Sequence, residues 1–156
     1  MGTEPVSVFR SSGTRGFSAR IAGDPRRVEA RKLEHVVHVR FTPSACTIQT
    51  PEGTVHAKPG DAILLGMDDE QWRVSIERFP EKYRPLPPTL AGEPGRYVSV
   101  RNRVVAMHMD EAFEVSLADG VSRLRGQSGD WLVDYGDGSL GIVAANIFAK
   151  TYEILG

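Results

Sequence analysis

Residues 60–86 and 129–155 align without a gap at a shift of 69 residues, and seven of the 27 positions are identical. The matches are Gly60/Gly129, Asp61/Asp130, Asp68/Asp137, Val74/Val143, Phe79/Phe148, Tyr83/Tyr152 and Leu86/Leu155. Ordinary residue frequencies would give roughly one or two. The chain therefore reads as an internal duplication, and no other feature restricts the fold as strongly: whatever the first half builds, the second half builds again. The repeated element is Lys58-Pro59-Gly60-Asp61 leading into Ala62–Leu65, and Gln127-Ser128-Gly129-Asp130 leading into Trp131–Asp134.

Around these turns the local pattern is that of short strands. Val28, Ala30 and Val36-Val37-His38-Val39-Arg40-Phe41 are rich in branched side chains and partly alternate. Cys46–Thr50 returns through Pro51-Glu52-Gly53-Thr54, where Pro suits the second turn position and Gly a positive φ. Asp61 is placed to accept backbone N–H groups of its own turn and so to fix where the next strand begins. Trp72–Ile76, Tyr97–Val100, Val104–Met107, Phe113–Leu117, Trp131–Tyr135 and Leu140–Ala144 complete the strand set, with Ala118-Asp119-Gly120 as a hairpin turn. Each half then closes on a Phe-x-x-x-Tyr pair, Phe79/Tyr83 and Phe148/Tyr152, whose spacing puts both rings on one face of a short helix. Pro80 belongs in the first turn of its helix, and Asn146 is the expected N-cap of the other.

The boundaries follow from composition. Residues 1–25 carry Gly-Ser and Gly-Asp-Pro clusters without a sustained period and read as a solvated arm, with Arg10, Arg15 and Arg20 as its cations. The two units are expected at 26–86 and 96–156, joined by a Pro/Gly-rich linker over 87–95 that reads as an extended spacer. A net charge of -1 argues against nucleic acid as a partner unless a local basic patch forms. Such a patch could come from Arg73, Arg78, Lys82 and Arg84 with Arg96, Arg101 and Arg103, although Glu77 and Glu81 interleave with them. Cys46 is the single cysteine, which excludes an intrachain disulfide and favours a reducing, cytoplasmic setting. No apolar run reaches the roughly 18 residues a membrane span needs. Met1-Gly2 opens like a lipidation signal, but Val6 stands where that signal wants Ser or Thr.

Taken in order, Pro59-Gly60-Asp61, Gly129-Asp130-Trp131-Leu132-Val133-Asp134-Tyr135-Gly136 and the terminal Phe-x-x-x-Tyr resemble the PGDYG proteins of bacteria and phage. The likeness covers both units, roughly 26–86 and 96–155, which implies two tandem copies. The chain departs from the family pattern where Ala62 follows Gly-Asp in the first unit and Ser128 replaces Pro in the second. The resemblance implies a domain type and transfers no catalytic residue.

The chemistry-bearing residues are few. Asp61 and Asp130, related by the repeat, and Tyr83 and Tyr152, whose hydroxyls need partners when buried, are the candidate ligand-binding residues. His108 lies beside Asp110 and Glu111 and is the best histidine for a general base, making these three the candidate catalytic residues. His35 and His38 stand an odd number apart and point to opposite faces of a strand, and no spacing suits a metal, so neither metal nor cofactor is expected. Gly-x-Ser-x-Gly and phosphate-loop patterns are missing.

The sequence thus predicts an α+β, mostly β chain: two tandem antiparallel β-meander units, each closed by a short C-terminal helix, related by a pseudo-twofold axis with a groove between them. The expected function is a non-enzymatic binding module for an unknown small molecule or protein. The alternatives are a small hydrolase or transferase using His108 with nearby carboxylates, and an interaction protein that forms a homodimer through strand edges.

Overall fold

The computed structural model describes residues 6–100 and 102–156, so the Met1-Gly2 signal and Arg101 lie outside the described residues. In chain order the elements are β1 (Ser7–Arg10), α1 (Ala19–Ala22), β2 (Arg27–Lys32), β3 (Val36–Phe41), β4 (Cys46–Thr50), β5 (Gly53–Ala57), β6 (Ala62–Leu65), β7 (Gln71–Val74), α2 (Phe79–Lys82) and β8 (Tyr83–Pro85). The second half adds β9 (Gly95–Ser99), β10 (Arg103–His108), β11 (Phe113–Ser116), β12 (Arg123–Gly126), β13 (Trp131–Asp134), β14 (Leu140–Val143), α3 (Ala145–Thr151) and β15 (Tyr152–Ile154). The chain is mostly β, and among the described residues helix is confined to three short pieces.

Two five-stranded antiparallel sheets form the frame, in the orders β7-β6-β3-β9-β8 and β14-β13-β10-β2-β15. The orders correspond strand for strand when β9 of the first sheet is set against β2 of the second. The units drawn at 26–86 and 96–156 therefore exchange their first strands. β2 lies between β10 and β15, with Val105 opposite Glu29 and Tyr152 opposite Lys32. β9 lies between β3 and β8, with Val37 opposite Tyr97 and Tyr83 opposite Ser99. A simple meander is not formed either: β3 pairs directly with β6 and β10 with β13, while the β4–β5 and β11–β12 hairpins leave their sheets. Those hairpins pack on each other, and Ile48, Val55 and Ala57 share one core with Phe113, Val115 and Leu124. Both halves bury surface that neither could bury alone.

Each sheet also has its own inner layer. Val37, Val39, Leu64 and Tyr97 pack on Phe79 and Tyr83, whereas Ala30, Val104, Ala106 and Val133 pack on Phe148 and Tyr152. Within both pairs the rings stack, at 5.3 Å for Phe79–Tyr83 and 4.8 Å for Phe148–Tyr152. Shapes are complemented between the halves at matched positions. The Glu70 carboxylate and the ring of Trp72 fill the space over Gly66, and the ring of Tyr135, which stands where Gly66 does, fills the space over Gly141, which stands where Trp72 does.

Three expectations are corrected. The arm is not a solvated tail: β1 adds in parallel to β11, and Phe9 and Ile21 are buried at 3% and 1% exposure. Two well-placed apolar side chains suffice for docking but are too sparse to show a period. Arg20 lies over the Phe9 ring at 4.1 Å and Arg15 pairs with Glu81, so both are partly spent on structure. The linker is no extended spacer, because the Tyr97 hydroxyl donates toward the carbonyls of Glu93 (2.8 Å) and Leu90 and accepts the Gly92 N–H, gathering it into turns. Asn146 does not cap α3; Ala144 holds that position, and the Asn146 amide reaches Asp68 instead.

Residues 11–18 lie along the turn that joins β13 to β14, with Gly13 N–H donating to the Gly138 carbonyl and Gly16 N–H to that of Gly136. Gly138 has φ 90°, and a Cβ there would stand 2.3 Å from the Thr14 carbonyl oxygen. Gly138→Ala should therefore lower stability by about 2 kcal/mol or more in denaturant unfolding and open residues 11–18 to limited proteolysis. An alanine variant of unchanged stability with the arm still protected would contradict this account of how the arm is held.

Candidate functional site

The repeated Gly-Asp turn is built the same way twice. Lys58 N–H donates to Asp61 Oδ2 at 2.8 Å, and Gln127 N–H donates to Asp130 Oδ2 at 2.9 Å. Gly60 and Gly129 hold φ of 88° and 98°, which a side chain would resist. The glycine amides then donate to the carbonyls of Thr42 and Met109, tying each turn to the end of β3 or β10. The carboxylates do not meet across the halves. They differ in one respect: Asp61, 1% exposed, also accepts Ile76 N–H at 3.1 Å and faces Arg73 Nη1 at 3.3 Å. Ile142 occupies the position in the second half that Arg73 holds in the first, so Asp130 has no such cation.

Tyr83 and Tyr152 are brought together, around a residue that pattern reading passed over. Lys32 ends β2 opposite Tyr152, and its ammonium donates to the Tyr83 hydroxyl at 2.9 Å while lying 5.1 Å from the Tyr83 ring and 5.9 Å from the Tyr152 ring. Burial pushes the Lys32 amine down to about 8. Burial likewise raises Tyr83, Tyr135 and Tyr152, so their hydroxyls stay neutral. Beside them Lys82 lies 4.1 Å from the Tyr135 ring centre and 3.1 Å from Asp137. Burial works to raise Asp137, but Lys82 and Ser139 outweigh it and hold the carboxyl below its usual value. Lys150 approaches Asp68 at 3.5 Å, so each C-terminal helix is tethered to the strand turn of the other half. The place between the halves is thus filled by packed rings and paired charges.

His108 is held by a neighbouring turn and ring. Its Nε2 lies 3.0 Å from the Gly129 carbonyl, which can only accept, so the proton sits on Nε2. The ring stacks on Trp131 at 4.7 Å, extending the column Trp131–Phe148–Tyr152. Asp110 approaches Arg26 at 3.7 Å, and His108 makes no contact with Asp110 or Glu111 of the kind that would orient its ring. Among the described residues no group of three or more His, Cys, Asp or Glu is placed to hold a metal ion, and no helix is long and apolar enough to cross a membrane. Glu52, at the tip of the first hairpin, is pushed up to about 7 by burial first and then by Asp130 and Glu70.

Two cavities lie away from these residues. One, of about 330 Å³, opens between the arm and the β13–β14 turn, with Arg10, Ser12, Thr14 and Asp134 on its wall. The other is a groove of about 340 Å³ on the outer face of the first sheet, between β3 and β6, with His38, Arg40, Leu65 and Gln71 on its wall. The outer faces of the two sheets are treated differently. Over the second sheet, β1, α1 and the β11–β12 hairpin bury Met107, Leu132, Leu140 and Ile142. Over the first, Ile63 is covered by the β4–β5 hairpin, but Leu65 and Val36 remain 36% and 43% exposed.

Two measurements test the electrostatics. Asp61→Ala should cost about 3 kcal/mol, since it leaves Arg73 half-buried without its carboxylate, against about 1 kcal/mol for Asp130→Ala; equal losses in denaturant unfolding would exclude a contribution from the Arg73 pair. For Lys32 the folded value of about 8 lies below the ordinary lysine value near 10.4. Between the two, the unfolded chain binds the extra proton, so stability from this group rises with pH and then levels. The stability of wild type relative to Lys32→Met should accordingly grow by about 2 kcal/mol from pH of about 8 to about 10. A flat difference over that range would show that the amine is not desolvated.

One match to a known family was found, to the PGDYG protein family over residues 53–153. No curated protein and no solved structure matched. The match begins at the first residue of β5 and ends within β15, so a single family domain takes in parts of both halves, and the expectation of one family copy per half gains no support from it. With about two thirds of its length matched, the chain belongs to the PGDYG protein family.

Proposed function

We propose that this protein is a non-enzymatic binding module that captures a segment of another protein on the open outer face of its first sheet. The observation that carries this reading is the unequal treatment of two sheets of the same strand order. One outer face is covered by the chain's own residues 7–22, whereas its counterpart keeps a groove lined by Leu65, with Val36 exposed on the same side of β3. Exposed apolar side chains grouped on a flat sheet face are a usual mark of a docking surface. In this reading the chain is an internal duplication about an approximate twofold axis, with β2 and β9 exchanged. One face was closed by the arm and the other kept for a partner. The family resemblance and the lone cysteine favour a cytoplasmic protein of bacterial or phage origin.

Selection of a random peptide library on the purified chain tests the reading without knowledge of the partner. Enriched sequences should bind wild type and His108→Ala alike, and lose binding to a Val36→Asp, Leu65→Asp double variant that remains folded by circular dichroism. Enriched peptides that bind the double variant as tightly as wild type would place binding elsewhere, and a selection that enriches nothing would count against a peptide-binding role.

A further inference from the structure

We propose that the segment taken by this face is acidic and extended, with carboxylates at alternate positions set against His38, Arg40 and Arg96 and apolar side chains over Leu65 and Val36; this rests on the reading of the face as a docking surface. The charge on the face is of one sign. Its outward positions are Val36, His38 and Arg40 on β3, Ile63 and Leu65 on β6, Gln71 and Arg73 on β7, Arg84 on β8, and Arg96 and Val98 on β9, with no carboxylate among them. Arg73 is neutralised by Asp61 and Arg84 by Glu34, at 3.3 and 3.4 Å. Arg40 and Arg96 form no ion pair with any described residue, and both are exposed.

The pairing register gathers these donors into one patch. His38 stands directly opposite Arg96, where side chains lie roughly 5 Å apart, and Arg40 follows on the same side of β3. A face meant only for water would carry both signs. The spacing then selects the ligand. His38 and Arg40 are two residues apart on one strand, about 7 Å, which is also the separation of successive same-side residues in an extended peptide laid along it. Acidic residues at alternate positions would reach both.

Two other occupants fit less well. The arm of a second copy would bring Arg10, Arg15 and Arg20 and no carboxylate between Val6 and Gly23, adding repulsion. Single-stranded nucleic acid is held chiefly by aromatic rings that stack on bases, and none of the outward positions is Phe, Tyr or Trp.

Fluorescence anisotropy with labelled peptides of roughly eight residues, long enough to follow β3, tests the inference. A peptide of alternating Glu and Leu should bind in the micromolar range, and its Lys-for-Glu counterpart should not. Arg40→Glu with Arg96→Glu should weaken binding by at least about tenfold, with Arg40→Gln and Arg96→Gln in between and His108→Ala unchanged. Amide shifts on titration should fall in β3, β6 and β9. No binding of the acidic peptide, equal binding of the basic one, or indifference to the charge reversals would overturn the proposal. Tighter binding of a single-stranded oligonucleotide at the same amides would assign the face to nucleic acid instead. If neutral or basic sequences emerge from the library and still map to this face, the acidic preference fails while the docking surface stands; shifts confined to another surface reject both.

Discussion

The structure depends on the insertion of β2 between β10 and β15 and of β9 between β3 and β8. A strand in the middle of a sheet has hydrogen-bonding groups on both edges to satisfy, and here each half supplies the strand that the other half lacks. Without β2, β15 would have no neighbour. Without β9, β8 would have none. These two edge strands are three residues long, which makes them poor templates for pairing with another molecule.

The ties across the halves all follow from that exchange. Once β2 is in place, its last residue, Lys32, delivers an ammonium to Tyr83 in the first half while its backbone pairs with Tyr152 in the second. The helices that precede β8 and β15 are swung toward the opposite turn, where Lys82 finds Asp137 and Lys150 finds Asp68. The centre of the molecule is therefore a seam of rings and paired charges. Its polar groups are used in holding the halves, which leaves the outer faces as the place where the two sheets differ.

Much of this was legible in the chain, and the failures have physical reasons. Individual strands follow from alternation, and the Gly-Asp turns from the need for positive φ at Gly60 and Gly129; the Phe-x-x-x-Tyr spacing marks two short helices, but each stops before its tyrosine, because Tyr83 and Tyr152 are extended and open β8 and β15. Partner choice was not legible: β2 carries nothing in Arg27–Lys32 that says which sheet it enters, because backbone hydrogen bonds are alike for every neighbour. Lys32 was missed for a related reason, since a lysine ending a strand looks solvated until its neighbours are known. The arm was missed because Phe9 and Ile21 are isolated in sequence and only meet their core in space. His108 was singled out by its acidic neighbours in the chain, yet Asp110 turns to Arg26 and the ring is held by the Gly129 carbonyl and Trp131. By contrast, the alternation Val36-Val37-His38-Val39-Arg40-Phe41 already contained the one-sided charge of the outer face.

The exchange also fixes the order in which the chain can become structured as it is made. β2 leaves the ribosome well before its neighbours, β10 and β15, and Ala30 waits for Ile154 as its partner. Until Tyr152–Ile154 has been made, the nascent chain holds an unsatisfied strand and the second sheet is incomplete. Its alternating Arg27, Glu29 and Arg31 are the kind of charged positions that keep such a waiting segment from joining the wrong neighbour.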